Sequence, residues 1–238
     1  MMRFELSCEL KQDIISTDYN RKILSYFKKA LEDYNVEVYK IFYSQPREKN
    51  LSFACFFPIE KIENNHIFLA EKKFKIVVSI EDMLEAIHFY NAFCFSRKKE
   101  FLFGNENSFT VIKINKIREK EIKENKVIFK TLSPVLIRER LEGNRNWYHL
   151  LDSEKGLEIL KKNLIHTLSE KFSKEDIENL KITPVKIKKT VVHFYDLKFP
   201  ASRGIFMAEG NPKVLEHIYK SGFASRKSIG FGLLDIIA

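Results

Sequence analysis

The sequence predicts an α+β fold made of two tandem ferredoxin-like (RRM-like) domains, residues 1–122 and 123–238. Two observations predict it. Segments of period-two and period-3.6 hydrophobicity follow one another as β-α-β-β-α-β through the first half, and a similar order returns in the second. A length of 238 residues also suits two small domains, each with a modest core.

Residues 3–10 alternate as a strand, and 18–34 carry Ile23, Leu24, Phe27, Ala30 and Leu31 at helical spacing. A second short helix is expected over 36–43. Strands follow at 51–58 and 73–79. Ser79 is positioned to cap a helix, with Asp82 three residues on, and that helix runs to about Phe95 through Leu84, Ile87, Asn91 and Cys94. Residues 108–117 close the first unit as a strand, and the boundary is expected near 120–126. In the second half, 127–137 read as extended and 153–172 as a helix with Leu157, Leu160, Leu164 and Leu168 on one face. Residues 185–197 and 204–209 read as a hairpin. Asn211-Pro212 is an N-cap followed by proline at the first helical position, Gly222 stands near that helix's end, and 228–237 form the closing strand.

No run of 18 or more uncharged apolar residues occurs, so no transmembrane helix or membrane partner is expected. The charged N-terminus does not read as a signal peptide. Cys8, Cys55 and Cys94 are isolated in apolar surroundings and read as buried thiols of a cytoplasmic protein. The formal charge of +9 and pI near 9.3 fit a polyanionic partner, or equally a Lys-rich solvated surface. Paired-Cys zinc spacing, His-Glu-x-x-His, a Walker-type loop and an obvious two-metal carboxylate cluster are all absent, so no metal or cofactor is expected.

The strongest local signal is the run from Ser221 to Gly232, Ser-Gly-Phe-Ala-Ser-Arg-Lys-Ser-Ile-Gly-Phe-Gly, between a helix and a strand. Gly222, Gly230 and Gly232 permit positive φ and close backbone approach. Successive N–H groups of such a loop can form an anion nest, and Ser225, Arg226, Lys227 and Ser228 add donors suited to phosphate. A helix cap at Gly222 and a bulge at Gly230 account for two glycines but not for the polar insert. Arg138, Arg140 and Arg145 precede Trp147, Tyr148 and His149; the two aromatics suit stacking on unpaired bases or anchoring of a loop. Lys186 and Lys188 alternate on one strand, either tracking a phosphate backbone or guarding a sheet edge.

These residues resemble a family. Gly-hydrophobic-small, five mostly polar residues and Gly-hydrophobic-Gly is similar to the C-terminal signature of the CRISPR-associated repeat-processing endoribonucleases, the sixth Cas family. Thr131-Leu132-Ser133-Pro134-Val135 with Arg138, and the spaced run Ala208, Gly210, Pro212, Leu215, Tyr219 and Gly222, match it too, as does the segment from Asp18-Tyr19-Asn20-Arg21 to Pro58. The resemblance implies metal-independent cleavage of precursor CRISPR RNA within repeats. The 2′-hydroxyl attacks the adjacent phosphate, leaving a 2′,3′-cyclic phosphate and a 5′-hydroxyl. The partners it implies are CRISPR repeat RNA and other Cas effector subunits, with the chain a monomer or homodimer. A non-catalytic repeat-RNA-binding subunit of an effector complex is the alternative.

Many members of that family carry a general acid/base histidine after the first helix, and here none lies between Asp18 and Pro58. Alignment on Lys49 and the following strand puts Tyr43 at the histidine's position and Lys28 where some members have a tyrosine. The expected catalytic set is therefore Tyr43, with Tyr39 beside it, to orient or protonate, and Lys49, Lys28 and Arg226 to hold the phosphate. His149 is the first candidate to replace the missing histidine. His66 reads as exposed in a turn, and His88, His166, His193 and His217 as structural.

Overall fold

The computed structural model describes residues 1–45, 49–104, 106–143, 145–194 and 197–237. The chain divides into two compact units. One comprises Met1–Glu119, His193–Leu197 and Ser228–Gly230; the other comprises Lys120–Val192, Lys198–Lys227 and Phe231–Ala238.

The first unit runs β1 (Met2–Leu10), β2 (Ile14–Ser16), α1 (Tyr19–Tyr34), α2 (Val36–Tyr43), β3 (Leu51–Phe56), β4 (Ile59–Glu63), β5 (His66–Leu69), β6 (Lys73–Ile80), α3 (Met83–Ser96), β7 (Glu100–Leu102) and β8 (Ser108–Ile117). Its main sheet has the order β3-β6-β1-β8-β7, with β1 antiparallel to both β6 and β8. Alternation along β1 buries Phe4, Leu6, Cys8 and Leu10. α1 adds Ile23, Tyr26, Phe27, Ala30 and Leu31, and α3 adds Ala86, Phe89, Ala92 and Phe93. Phe27 lies 5.0 Å from Phe53 and 5.2 Å from Phe93, centroid to centroid, within the range where edge-on and tilted pairs add to burial. The buried Tyr26 hydroxyl is satisfied by Ser96 Oγ at 2.7 Å, and burial pushes the phenol's pKa up.

The structure corrects several boundaries. Ser79 is buried within β6 and does not cap α3; Asp82 does, its carboxylate accepting from Glu85 N at 2.8 Å. A second sheet, β2-β5-β4, accompanies the main one. It turns at Asn64 and Asn65, both at positive φ, as a two-residue hairpin of the mirror-image type requires. Cys8 is buried, but Cys55 is only half-buried and Cys94 is exposed on α3, against the expectation of three buried thiols.

The second unit runs β9 (Lys126–Thr131), β10 (Ile137–Arg140), β11 (Asn146–His149), α4 (Glu154–Leu168), α5 (Lys174–Glu178), β12 (Lys181–Phe194), β13 (Leu197–Glu209), α6 (Pro212–Ser221), a 3-10 turn (Lys227–Ile229) and β14 (Leu234–Ile236). Its four-stranded sheet has the order β12-β13-β9-β14, and β9 is antiparallel to β13 and β14. Phe129 and Phe206 face one another across that sheet, and Phe223 stacks on Phe206 at 4.9 Å. α6 covers them with Val214, Leu215, Ile218 and Tyr219.

The extended segment expected at 127–137 is two strands separated by 132–136, the second pairing in a hairpin with β11. The helix expected over 153–172 ends at Leu168. The closing strand expected over 228–237 shrinks to Leu234–Ile236, because 227–229 form a 3-10 turn. β13 begins at Leu197, well before the expected Gly204, and Tyr195 and Asp196 of the strand expected over 185–197 lie outside the described residues. No helix is long and apolar enough to cross a membrane among the described residues.

Candidate functional site

Two constellations of predicted residues form, one in each unit. In the first unit, α2 is anchored at its start by Asn35. Its side-chain oxygen accepts from Glu37 N at 2.9 Å and Val38 N at 3.1 Å, satisfying two donors that the helix leaves unpaired. Val38 and Phe42 are buried, Phe42 lying edge-on to Phe89 at 5.1 Å. With that face committed to the core, Tyr39 and Tyr43, four residues apart, stand half-buried with rings 5.6 Å apart. Lys28 Nζ, from α1, lies 5.2 Å from the Tyr43 ring centroid, and Lys49 Nζ lies 4.8 Å from it. Tyr39 and Tyr43 from α2, Lys28 from α1 and Lys49 from the segment after α2 are thus one cluster. Each ammonium group lies within cation–π range of the phenol ring, and the pair offers positive charge beside a hydroxyl donor.

In the second unit, the glycine-rich loop and the Thr-Leu-Ser-Pro segment are laced together. Phe223 N donates to Gly232 O at 2.8 Å, Gly232 N to Pro134 O at 2.9 Å, Ser225 N to Leu136 O at 3.0 Å, and Leu132 N to Leu233 O at 2.8 Å. The Ser133 hydroxyl accepts from Leu233 N at 2.9 Å, and Thr131 Oγ1 accepts from Gly204 N at 2.9 Å. Five residues of the loop have positive φ: Gly222, Ala224, Arg226, Gly230 and Gly232. Alanine at 224 therefore adopts the left-handed conformation rather than reshaping the loop. A Cβ on Gly232 would lie 1.9 Å from Phe223 O; Gly230 belongs with the first unit, where a Cβ on it would lie 2.7 Å from the Asn20 side chain and 2.8 Å from the Phe53 ring. The N–H groups of Gly222, Phe223, Ser225 and Gly232 all bond protein carbonyls. Those four N–H groups are thus committed within the protein, and the side chains of Ser225, Arg226, Lys227 and Ser228 are each half-buried.

Arg226 Nε donates to the Tyr148 hydroxyl at 2.9 Å, and its guanidinium carbon lies 6.0 Å from the Tyr148 ring and 5.9 Å from Phe199. Tyr148 itself is buried. In the β10–β11 ladder Arg138 faces Tyr148 and Arg140 faces Asn146, so Arg138 and Arg140 share a strand face with Tyr148. Burial, then Arg140 and then Arg226, push the Arg138 guanidinium below its ordinary pKa. Three guanidiniums are thus gathered, and among the described residues none of them has a carboxylate partner. The sequence contained no signal for the Arg226–Tyr148 bond, which spans 78 residues.

His149 lies on the other face of that hairpin, opposite Ile137. Its Nε2 and Glu139 Oε2 are 2.7 Å apart, with only 12% of the imidazole side chain exposed. Arg145 is exposed near the hairpin tip, and Trp147 is 60% exposed. Lys186 and Lys188 project from β12, an edge strand of its sheet, and both are exposed. Of the other histidines, His66 is exposed as expected, and so is His166, which the sequence suggested was structural. His217 is buried 3.3 Å from Ser221 Oγ, and His193 Nδ1 lies 3.2 Å from Thr17 Oγ1. Among the described residues no group of three or more His, Cys, Asp or Glu side chains is placed to hold a metal ion.

Residues 117–236 match the family model described as CRISPR associated protein Cas6, C-terminal. The chain is 31% identical over 164 residues to the CRISPR-associated endoribonuclease-like protein Cas6nc of Pyrococcus horikoshii, covering 67% of this chain and 66% of that one. It is 30% identical over 146 residues to the endoribonuclease-like protein Cas6 of Pyrococcus furiosus, covering 59% of each. The matches thus span 66% and 59% of these relatives' lengths. Among solved structures, one described as "An RAMP protein binding different RNA substrates" superposes with a TM-score of 0.84 at 22% identity, over 100% of both chains.

Proposed function

The chain belongs to the Cas6 family of CRISPR-associated proteins, and from that premise we propose that it binds precursor CRISPR RNA and cuts it within each repeat by attack of the 2′-hydroxyl on the adjacent phosphate. The observation that carries this reading is the convergence of Lys28 and Lys49 on Tyr43. The reaction needs the 2′-oxygen aligned in line with the leaving 5′-oxygen, charge neutralised on the phosphorane, and a proton delivered to the leaving group. Lys28 and Lys49 supply the charge. The Tyr43 hydroxyl supplies a donor: with an ordinary pKa near 10, a phenol keeps its proton at neutral pH and serves better as an acid or orienting group than as a base. The attacking hydroxyl belongs to the substrate, so RNA is cut and DNA is not. The products are a 2′,3′-cyclic phosphate and a 5′-hydroxyl.

The loop side chains Ser225, Arg226, Lys227 and Ser228 and the edge-strand Lys186 and Lys188 hold the backbone in this reading. Each unit is read as ferredoxin-like: β3-β6-β1-β8 in one and β12-β13-β9-β14 in the other have the same second-third-first-fourth order of sheet strands. One observation favours a second reading, a subunit that binds repeat RNA without cutting it: among the described residues Tyr43 meets tyrosine, phenylalanine and lysine, and His149 is committed to Glu139 on a different element.

The test is incubation with repeat RNA in EDTA, with analysis of product ends, beside a matched RNA carrying one 2′-deoxy residue at the cleaved position. Cleavage of the first alone, leaving a cyclic phosphate, is the expected result. Tight binding with no cleavage would establish the second reading, and cleavage of the deoxy RNA would exclude 2′-hydroxyl attack.

A further inference from the structure

The β10–β11 hairpin has two faces with different chemistry. Arg138, Arg140 and Tyr148 occupy one, and Arg226 joins them through the Tyr148 hydroxyl. That bond uses Arg226 Nε, so the two terminal nitrogens of its guanidinium remain to grip an oxyanion. Three like charges held together, two of them half-buried, repel one another; such a cluster is stabilised by an anion and by little else. The opposite face carries Trp147 across from Glu139. An indole at 60% exposure leaves most of a large apolar ring in water, and the Glu139 carboxylate next to it is held by His149.

From this geometry we infer that the hairpin is a clamp for an unpaired RNA strand, with backbone phosphate on Arg138, Arg140 and Arg226 and one unstacked base on Trp147. A duplex meets only half of this site: its phosphates reach the arginines, but its bases stay stacked and cannot cover the indole. Tyr148, which the sequence offered as a second stacking ring, is a positioning residue, since it is buried and its hydroxyl fixes Arg226. The inference rests on the RNA-binding reading but not on cleavage.

Trp147 is the only tryptophan of the chain, so its fluorescence reports this site directly in the unaltered protein. Binding is followed in parallel by anisotropy of labelled RNA, with an unpaired oligoribonucleotide and a fully paired RNA as probes. The unpaired strand should quench the tryptophan, and the duplex should bind without quenching it. Trp147→Ala, an exposed position, should weaken binding of the unpaired strand by about 5- to 150-fold, the range for loss of one base–aromatic stack, and leave duplex binding unchanged. In Arg138→Ala/Arg140→Ala the slope of log affinity against log salt should fall by about 1.4, two phosphate contacts at about 0.7 each for a single strand. Quenching by inorganic phosphate alone, equal quenching by the duplex, or full binding of the unpaired strand without quenching would each overturn the clamp. None of these results depends on whether RNA is cut. Quenching by repeat RNA that the unaltered protein never cuts would instead refute the function proposed for the Tyr43 cluster.

Discussion

Replacing Gly232 by alanine should destabilise the second unit by about 3–4 kcal/mol. Gly232 has φ +69°, and a left-handed conformation costs a residue with a Cβ roughly 1–2 kcal/mol. The added Cβ would also lie 1.9 Å from Phe223 O, which no side-chain rotation can relieve because the obstacle is backbone. The strands must part, and the bonds at risk are Phe223 N to Gly232 O and Gly232 N to Pro134 O, each worth about 1 kcal/mol. At about 2–4 °C per kcal/mol for a chain of this size, the melting temperature should fall by roughly 10 °C. Scanning calorimetry of both proteins gives the comparison, with Ala224→Gly as control. Ala224 sits at φ +64° with its Cβ already accommodated, so glycine there should shift stability by less than about 1 kcal/mol, left-handed strain relieved against unfolded-state entropy gained. A Gly232→Ala protein that melts within 2 °C of the parent would refute the lacing of the two motifs as the source of the loop's rigidity.

Other outcomes follow from the same structure. Tyr43→Phe keeps the ring between Lys28 and Lys49 but removes the proton; single-turnover cleavage should fall by about 10²–10⁴-fold, the usual worth of a general acid, with RNA affinity within twofold, and unchanged cleavage would remove the hydroxyl from the reaction. Asn35→Ala strips the cap of α2 and should cost about 1 kcal/mol, read as a lower midpoint in urea. Hydrogen bonds from Asn211 and Ser173 hold the Asp176 carboxyl below its usual pKa, so its stabilisation is fully present above the unfolded value and is lost as pH falls through the folded one. The melting-temperature gap between the parent and Asp176→Asn should therefore be constant near neutrality and begin to narrow as pH falls below about 4; a gap that widened on acidification would contradict that assignment.

The sequence revealed the elements whose pattern is strong and local. β1 alternates cleanly, α1 repeats its apolar residues every three or four positions, and Asn211-Pro212 marks the start of α6 as its cap geometry confirms. It failed where pattern and burial part company. β4 is exposed along its whole length, so the Ile59–Glu63 run has no buried face to show alternation, and its sheet went unseen. α3 is apolar nearly all round, with Leu84, Ile87 and Phe95 exposed, which is why Cys94 read as core. The Tyr43 cluster was found by matching positions to a family, since nothing in spacing alone brings Lys28 and Lys49 to one ring. The arginine cluster on Tyr148 depends on a strand register and on a bond between distant segments. The single-residue signals, Arg138, Arg226 and Trp147, were visible; their arrangement on two faces of one hairpin was not.

The first unit recruits two short stretches from far along the chain, His193–Leu197 and Ser228–Gly230. Gly230 fits against Asn20 and Phe53, and His193 meets Thr17. The halves are therefore not interchangeable modules. A fragment cut at residue 119 would lack part of its own packing, and a chimera joined at that single point would bring in a glycine shaped for another parent's α1 and β3 and a histidine placed for its Thr17. Recombination between relatives should succeed only when these three stretches travel together, so the first unit is inherited with pieces of sequence that lie far beyond its main span.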